Sequence, residues 1–183
     1  MCNGPAEADT LVRGQYQQAN NMTDALAAIT AAVSAQLPCV DELLQHWDER
    51  WHQDGLVMDK WFILQATSPA ADVLSRVEQL LGHRSFTMSN PNRVRSLIGA
   101  FASANPSAFH ATDGSGYRFL TRMLKDLNKR NPQIAARLIE PLIRLKRYDS
   151  QRQQLMREAL EELKGLEGLS GDLYEKITRA LAA

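Results

Sequence analysis

Arginines and amides set at helical spacing carry the clearest chemical potential in this sequence. In "NPNRVRSLIGAF", Asn90 and Pro91 supply an N-cap and a first-turn proline, and Val94, Leu97, Ile98 and Phe101 follow at i, i+3, i+4 and i+7 as a buried stripe. Arg95, Gly99 and Ala102 form a second stripe. An arginine beside small residues either faces water or faces something that needs a cation held close. In "NPQIAARLIEPLIR", Gln133, Arg137, Glu140 and Arg144 make a polar stripe at i, i+4, i+7 and i+11. Arg137 and Arg144 can each pair with Glu140, for about a few tenths of a kcal/mol apiece. As a solvated, salt-bridged face the stripe needs no ligand.

The other reactive residue types carry little. His46 and His52 flank "WDERW" six residues apart, which sets them about a third of a turn apart around a helix, whereas paired zinc histidines on one helix are spaced four apart. His83 follows a helix-ending glycine and His110 precedes a loop, so both read as surface or capping residues. Cys39 stands near a helix start, where a thiol can be acidified, but no histidine or lysine neighbour supports a nucleophile, and a small buried apolar role fits better. Trp47, Trp51 and Trp61 lie on apolar faces and read as core. There is no GxSxG, no phosphate-gripping glycine loop and no HExxH, so the chain is expected to hold no catalytic residue, metal or cofactor of its own.

Composition narrows the class of partner. Lysine plus arginine equal aspartate plus glutamate at 21 each, so no global charge recruits nucleic acid or an anionic membrane. The chain is locally basic from Arg118 to Arg157, but "EALEELKGLE" offsets it, and no aromatic-basic interleaving accompanies it. Cys2 and Cys39 form no framework, so the compartment reads as reducing. No apolar run approaches the roughly 20 residues of a membrane span, and "MCNGPAEADT" has neither a basic n-region nor an apolar h-region. The expected location is cytoplasmic.

The elements that must position these side chains are all helices. Asn21 caps a helix with Met22, Leu26, Ile29, Val33 and Leu37 inward, closed by Pro38. Val40, Leu43, Leu44, Trp47 and Trp51 give a second, ending at Asp54-Gly55. Leu56 to Ala66 is a uniformly apolar third. Ser68-Pro69 is expected to cap the next, which stops at Gly82. After "NPNRVRSLIGAF" comes a short turn from Asn105-Pro106, then the glycine-rich "TDGSG", read as the most flexible loop. A helix from Tyr117 to about Arg130 precedes one opened by Asn131-Pro132, which is expected to run to Leu145 with a bend at Pro141. Asp149 or Ser150 caps a charged helix ending at Gly165. Ser170 is expected to cap the last, with Leu169 and Tyr174 as a hydrophobic staple.

Short amphipathic helices with recurring Ser-Pro or Asn-Pro starts predict an all-α fold, an irregular stack of antiparallel helix pairs of the α-solenoid, armadillo or HEAT type. Residues 1–10 read as a poorly patterned lead and residues 11–183 as one all-helical domain.

Six stretches carry a family resemblance: "NNMTDALAA", "DGLVMDKWFILQATSPAADVL", "HRSFTMSNPNRVRSLIGAF", "NPSAFHATDGSGYRFL", "RNPQIAARLIEPLIRLKRYD" and "LSGDLYEKITRAL". From about Leu11 to the end the chain resembles the distal part of the C-terminal helical domain in the bacterial aminopeptidase N family of zinc gluzincin aminopeptidases. The resemblance implies a zinc-dependent parent enzyme that releases N-terminal residues from short peptides. Its helical domain caps the catalytic domain and encloses a substrate chamber. Arg95, Gln133 and Arg137 match positions that look toward that chamber and its primed side, where an arginine can attract a peptide carboxylate. The zinc-binding HExxH and the GxMEN-type segment belong to the catalytic domain and are absent here, so the chain alone is expected to be inactive. Its implied partner is that catalytic domain, with possible self-association through an apolar face that a neighbouring layer would cover. Two alternatives stay open: a standalone helical scaffold for a protein partner, and, less favoured, a nucleic-acid-binding helical module.

Overall fold

Helix starts follow side-chain acceptors, because the first N–H groups of a helix have no partner within it. In the computed structural model, which describes residues 4–182, Asn21 accepts from the Asp24 amide, Asp54 from Leu56 and Val57, Asn90 from Asn92 and Arg93, Asn105 from Ala108, Asn131 from Ile134 and Asp149 from Arg152. The helices are α1 (Pro5–Gln18), α2 (Met22–Ala35), α3 (Val40–Trp51), α4 (Gly55–Ala66), α5 (Val73–Leu80), α6 (Pro91–Val94), α7 (Ala100–Ala104), α8 (Pro106–Phe109), α9 (Ser115–Arg130), α10 (Pro132–Leu138), α11 (Ser150–Lys164) and α12 (Gly171–Ala182). A π-helical turn, Arg95–Gly99, joins α6 to α7, and a 3-10 turn, Leu145–Arg147, precedes α11. No strand occurs among the described residues, and the fold is the expected stack of helix pairs.

The layers follow chain order. Helix α1 packs on α2, α3 on α4, α4 on the π turn and α7, α10 on α9 and α12, and α11 on α9 and α12. One apolar core runs through them, with Ile29, Met58, Phe62, Leu97, Phe101, Leu120, Leu124, Leu160 and Ile177 fully buried. Phe101 meets Phe109 and Phe119 edge-on, with ring centroids 6.1 and 5.4 Å apart. Each such side chain contributes about 1.5–3 kcal/mol on leaving water. The corner between α7 and α8 is fixed by buried Asn105, whose Nδ2 donates to the carbonyls of Ala66 (3.1 Å) and Ser68 (2.9 Å).

Several expectations change. The division expected between residues 10 and 11 falls inside α1, where the Asp9 carboxylate accepts the Cys39 amide at 2.8 Å; residues 1–3, Cys2 among them, lie outside the described residues. Helix α5 starts after Asp72 rather than at Ser68-Pro69, because Ser68 turns its Oγ to the Ala70 amide. Helix α10 stops at Leu138, so Pro141 sits in the turns beyond it instead of bending it. The Ser170 side chain forms no cap among the described residues: its buried Oγ has no partner there, while its amide donates to Asn128 Oδ1 and Asn128 Nδ2 donates to the Gly168 carbonyl. Tyr174 is half exposed, with the Lys164 ammonium over its ring.

The "TDGSG" loop is pinned rather than loose. Gly114 has φ +71°, the left-handed region that favours glycine, and packs on Leu155. A Cβ on Gly116 would overlap the Phe109 carbonyl, so only glycine lets α9 pass α8 this closely.

Candidate functional site

Arg95, Gln133 and Arg137 come together. They line one cleft of about 520 Å³ between the π turn with α7 on one side and α10 on the other. Gly99, Ala100 and Leu138 give it an apolar floor, and Ser103 and Asn131 add polar groups. The π turn decides which residues face it. In a continuous α-helix, Gly99 and Ala102 would follow Arg95; the wider turn rotates the register by about one residue, so Gly99, Ala100 and Ser103 follow instead and Ala102 is buried. The stripe expected from the sequence is therefore corrected at its far end. Asn131 and Ser103 were not expected in the cleft: Asn131 reads in sequence only as a cap, and Ser103 follows from the π turn.

Electrostatically the cleft is one-sided. Two arginines line it and no carboxylate does. Arg95 is held by its own turn, Nε donating to the Pro91 carbonyl at 3.2 Å and Nη2 to Asn92 Oδ1 at 2.7 Å. Arg137 is exposed and has no ion-pair partner among the described residues. The expected pairing of Arg137 and Arg144 with Glu140 does not form. Because α10 ends at Leu138, Arg144 is no longer on its face, and Glu140 pairs instead with Lys176 of α12, whose Nζ also donates to the Ala136 carbonyl at 2.8 Å. A guanidinium without a carboxylate is free to take one from a ligand, in a bidentate, charge-assisted hydrogen bond.

The histidines and cysteine lie elsewhere. His46 Nδ1 is 2.8 Å from Tyr16 Oη, and His83 Nε2 is 3.3 Å from Asp48. His110, expected at the surface, is buried between Tyr117 and Tyr148. Burial and the nearby Arg152 hold its pKa below the ordinary histidine value. Cys39 is fully buried, and burial with the Asp9 carboxylate beside it pushes its thiol up to about 11, which disfavours a thiolate at neutral pH. Among the described residues no group of three or more His, Cys, Asp or Glu side chains is placed to hold a metal ion. No helix among them is long and apolar enough to cross a membrane.

Over residues 1–182 the sequence matches the family described as a domain of unknown function (DUF3458_C) with ARM repeats. The chain belongs to that family. This ARM-repeat domain also matches the C-terminal region of bacterial aminopeptidase N. It is 75% identical over 175 residues to aminopeptidase N of Escherichia coli (strain K12), covering 96% of this chain and 20% of that protein. Aminopeptidase N of Haemophilus influenzae is 57% identical, over 94% of this chain and 20% of its own length. A crystal structure of Legionella pneumophila aminopeptidase A in complex with aspartic acid is 30% identical and superposes with a TM-score of 0.89, covering 95% of this chain and 20% of that one. The chain thus spans about a fifth of the length of the relatives it matches.

Proposed function

We propose that this chain is the distal part of the helical C-terminal domain of a zinc-dependent aminopeptidase N, where it caps the catalytic domain and lines the chamber in which short peptides lose their N-terminal residues. The observation that carries the reading is the cleft of Arg95, Gln133 and Arg137, which pairs two guanidinium groups with no lining carboxylate. A peptide's C-terminal carboxylate fits that arrangement. Arg137 supplies the charge, Arg95 the facing cation, and Gln133 an amide to orient the last peptide group. Zinc, the chemistry of bond cleavage and the grip on the substrate's free amine belong to the catalytic domain in this reading, and the location is cytoplasmic.

In the full-length enzyme, Arg137→Ala raises KM for dipeptides about tenfold, the scale of one lost charge-assisted hydrogen bond. It changes KM less than about twofold for aminoacyl p-nitroanilides, which have no carboxylate. Equal effects on both substrates remove the carboxylate role. The 183-residue chain by itself is expected neither to turn over an aminoacyl p-nitroanilide in added zinc nor to retain the metal. Turnover with stoichiometric zinc on the same sample would place the chemistry in this chain.

A further inference from the structure

A second, smaller cavity of about 210 Å³ adjoins the cleft, with Ser103 on the rim of both. Its lining includes His110, Glu140, Arg144, Arg147 and Tyr148. Glu140 is its one carboxylate, and Lys176 already holds it. Arg144 and Arg147 are exposed and have no ion-pair or hydrogen-bond partner through their guanidinium groups among the described residues. The cavity therefore presents two uncompensated cations.

A hydrogen-bond relay adds a donor. His110 Nδ1 is 2.8 Å from Tyr117 Oη, and His110 Nε2 is 2.7 Å from Tyr148 Oη. Burial and Arg152 hold the His110 pKa below 6.5, so at neutral pH one ring nitrogen donates and the other accepts. Tyr117 is 1% exposed, and its hydroxyl has no other partner among the described residues. If Tyr117 accepted from the ring, its own proton would be buried without an acceptor, which is the costlier arrangement. Tyr117 therefore donates to Nδ1, and Nε2–H donates to Tyr148 Oη. The Tyr148 O–H is then left without an acceptor among the described residues, and Tyr148 lines the same cavity as both arginines. Arg152 braces the relay, Nε donating to the His110 carbonyl at 2.6 Å, and its charge opposes protonation of the ring.

We propose that Arg144, Arg147 and the Tyr148 hydroxyl form a second carboxylate-binding site, which takes the C-terminus of peptides long enough to run past the Arg95–Arg137 cleft. Two guanidinium groups and a phenolic donor match the lone pairs of one carboxylate. The shared Ser103 rim lets one extended chain pass from the first site to the second. That the carboxylate is borne on a peptide rests on the aminopeptidase reading; the carboxylate site itself does not.

The test is an NMR titration of the 15N-labelled 183-residue chain with tetra-alanine, tetra-alanine amide and sodium acetate. Tetra-alanine is expected to shift the amides of residues 139–149, with the amide form at least about tenfold weaker. The double variant Arg144→Gln with Arg147→Gln weakens tetra-alanine about tenfold or more, and Tyr148→Phe about threefold to tenfold. Tetra-alanine and its amide binding equally, or the double variant binding as the parent does, overturns the carboxylate site. Acetate binding as tightly as tetra-alanine overturns the peptide assignment. Should Arg137→Ala affect dipeptides and p-nitroanilides alike while these shifts persist, the functional reading fails and the second site stands.

Discussion

Arg93 and Arg95 are two residues apart and live in different regions of the molecule. Arg93 is 7% exposed; it pairs with Asp59 of α4, donates through Nε to the Ser85 carbonyl at 2.8 Å and lies over the Phe62 ring. Arg95 faces the open cleft and touches only its own turn. In the first region, guanidinium groups are spent on the fold: Arg13 joins Asp9 to Glu42, Arg76 reaches Asp41 at 2.7 Å and Arg84 reaches Asp48 at 2.7 Å, each linking separate segments of the chain. In the second, Arg137, Arg144 and Arg147 have no such partner among the described residues, and the one nearby carboxylate, Glu140, is taken by Lys176. The difference teaches that arginine content alone says little here. What separates the paired arginines from the unpaired ones is whether the fold brings them a carboxylate.

The largest effect that could break this comparison is on stability. Arg93→Ala leaves Asp59, 17% exposed in its side chain, without its cation, and is expected to cost about 3 kcal/mol in urea unfolding. Joint replacement by Arg93→Met and Asp59→Leu is expected to recover most of that loss, since a buried pair is worth little over apolar side chains of similar size. If Arg93→Ala costs no more than a surface substitution, the two regions do not differ as argued. Next in size is the roughly tenfold rise in dipeptide KM with Arg137→Ala, which a purely structural arginine would not give.

A third measurement sharpens the boundary between the relay and the cleft. His110 has a lowered pKa in the fold, so above the ordinary value of 6.5 it is neutral both folded and unfolded and costs nothing. As pH falls through 6.5 the unfolded chain takes up a proton that the fold refuses, and stability drops until the folded pKa is passed. Urea midpoints measured between pH 7.5 and 5 are expected to show this slope in the parent chain, and His110→Asn is expected to flatten it. A slope unchanged in that variant assigns the titration elsewhere. The smallest expected effect is the most discriminating: Arg95→Ala and Arg137→Ala each shift unfolding by less than about 0.5 kcal/mol, because neither crosses to another carboxylate.

Local signals were legible where the physics is local. Asn21, Asn90, Asn105, Asn131 and Asp149 stand where free amides need acceptors, while Asp54, read as the stop of the preceding helix, also caps the next; the apolar stripes through Leu97 and Phe101, Leu120 and Leu124, and Ile177 are buried as their spacing requires. Where reading failed, a distant residue had intervened. Ser170 has the right type for a cap, but its hydroxyl is buried without a partner among the described residues, and Asn128, 42 positions earlier, holds the Ser170 amide. Glu140 has arginines at helical distance on both sides, yet Lys176 reaches it from α12. His110 precedes a glycine-rich loop like any surface histidine, and two tyrosines from different elements close over it.

The amino-acid order by itself determined that this chain is helical, where most helices begin, which faces are apolar and which arginines occur on polar ones, because capping, periodicity and propensity act within about one turn. It also placed Arg95, Gln133 and Arg137 together as candidates, through resemblance rather than through spacing. The tertiary structure alone decided that these three share one cleft, that Ala100 and Ser103 replace Ala102 beside them, and that Glu140 is removed from their reach. Those outcomes depend on a π turn and on contacts across tens of residues, and a charge acquires its role only from the partner the fold leaves it or denies it.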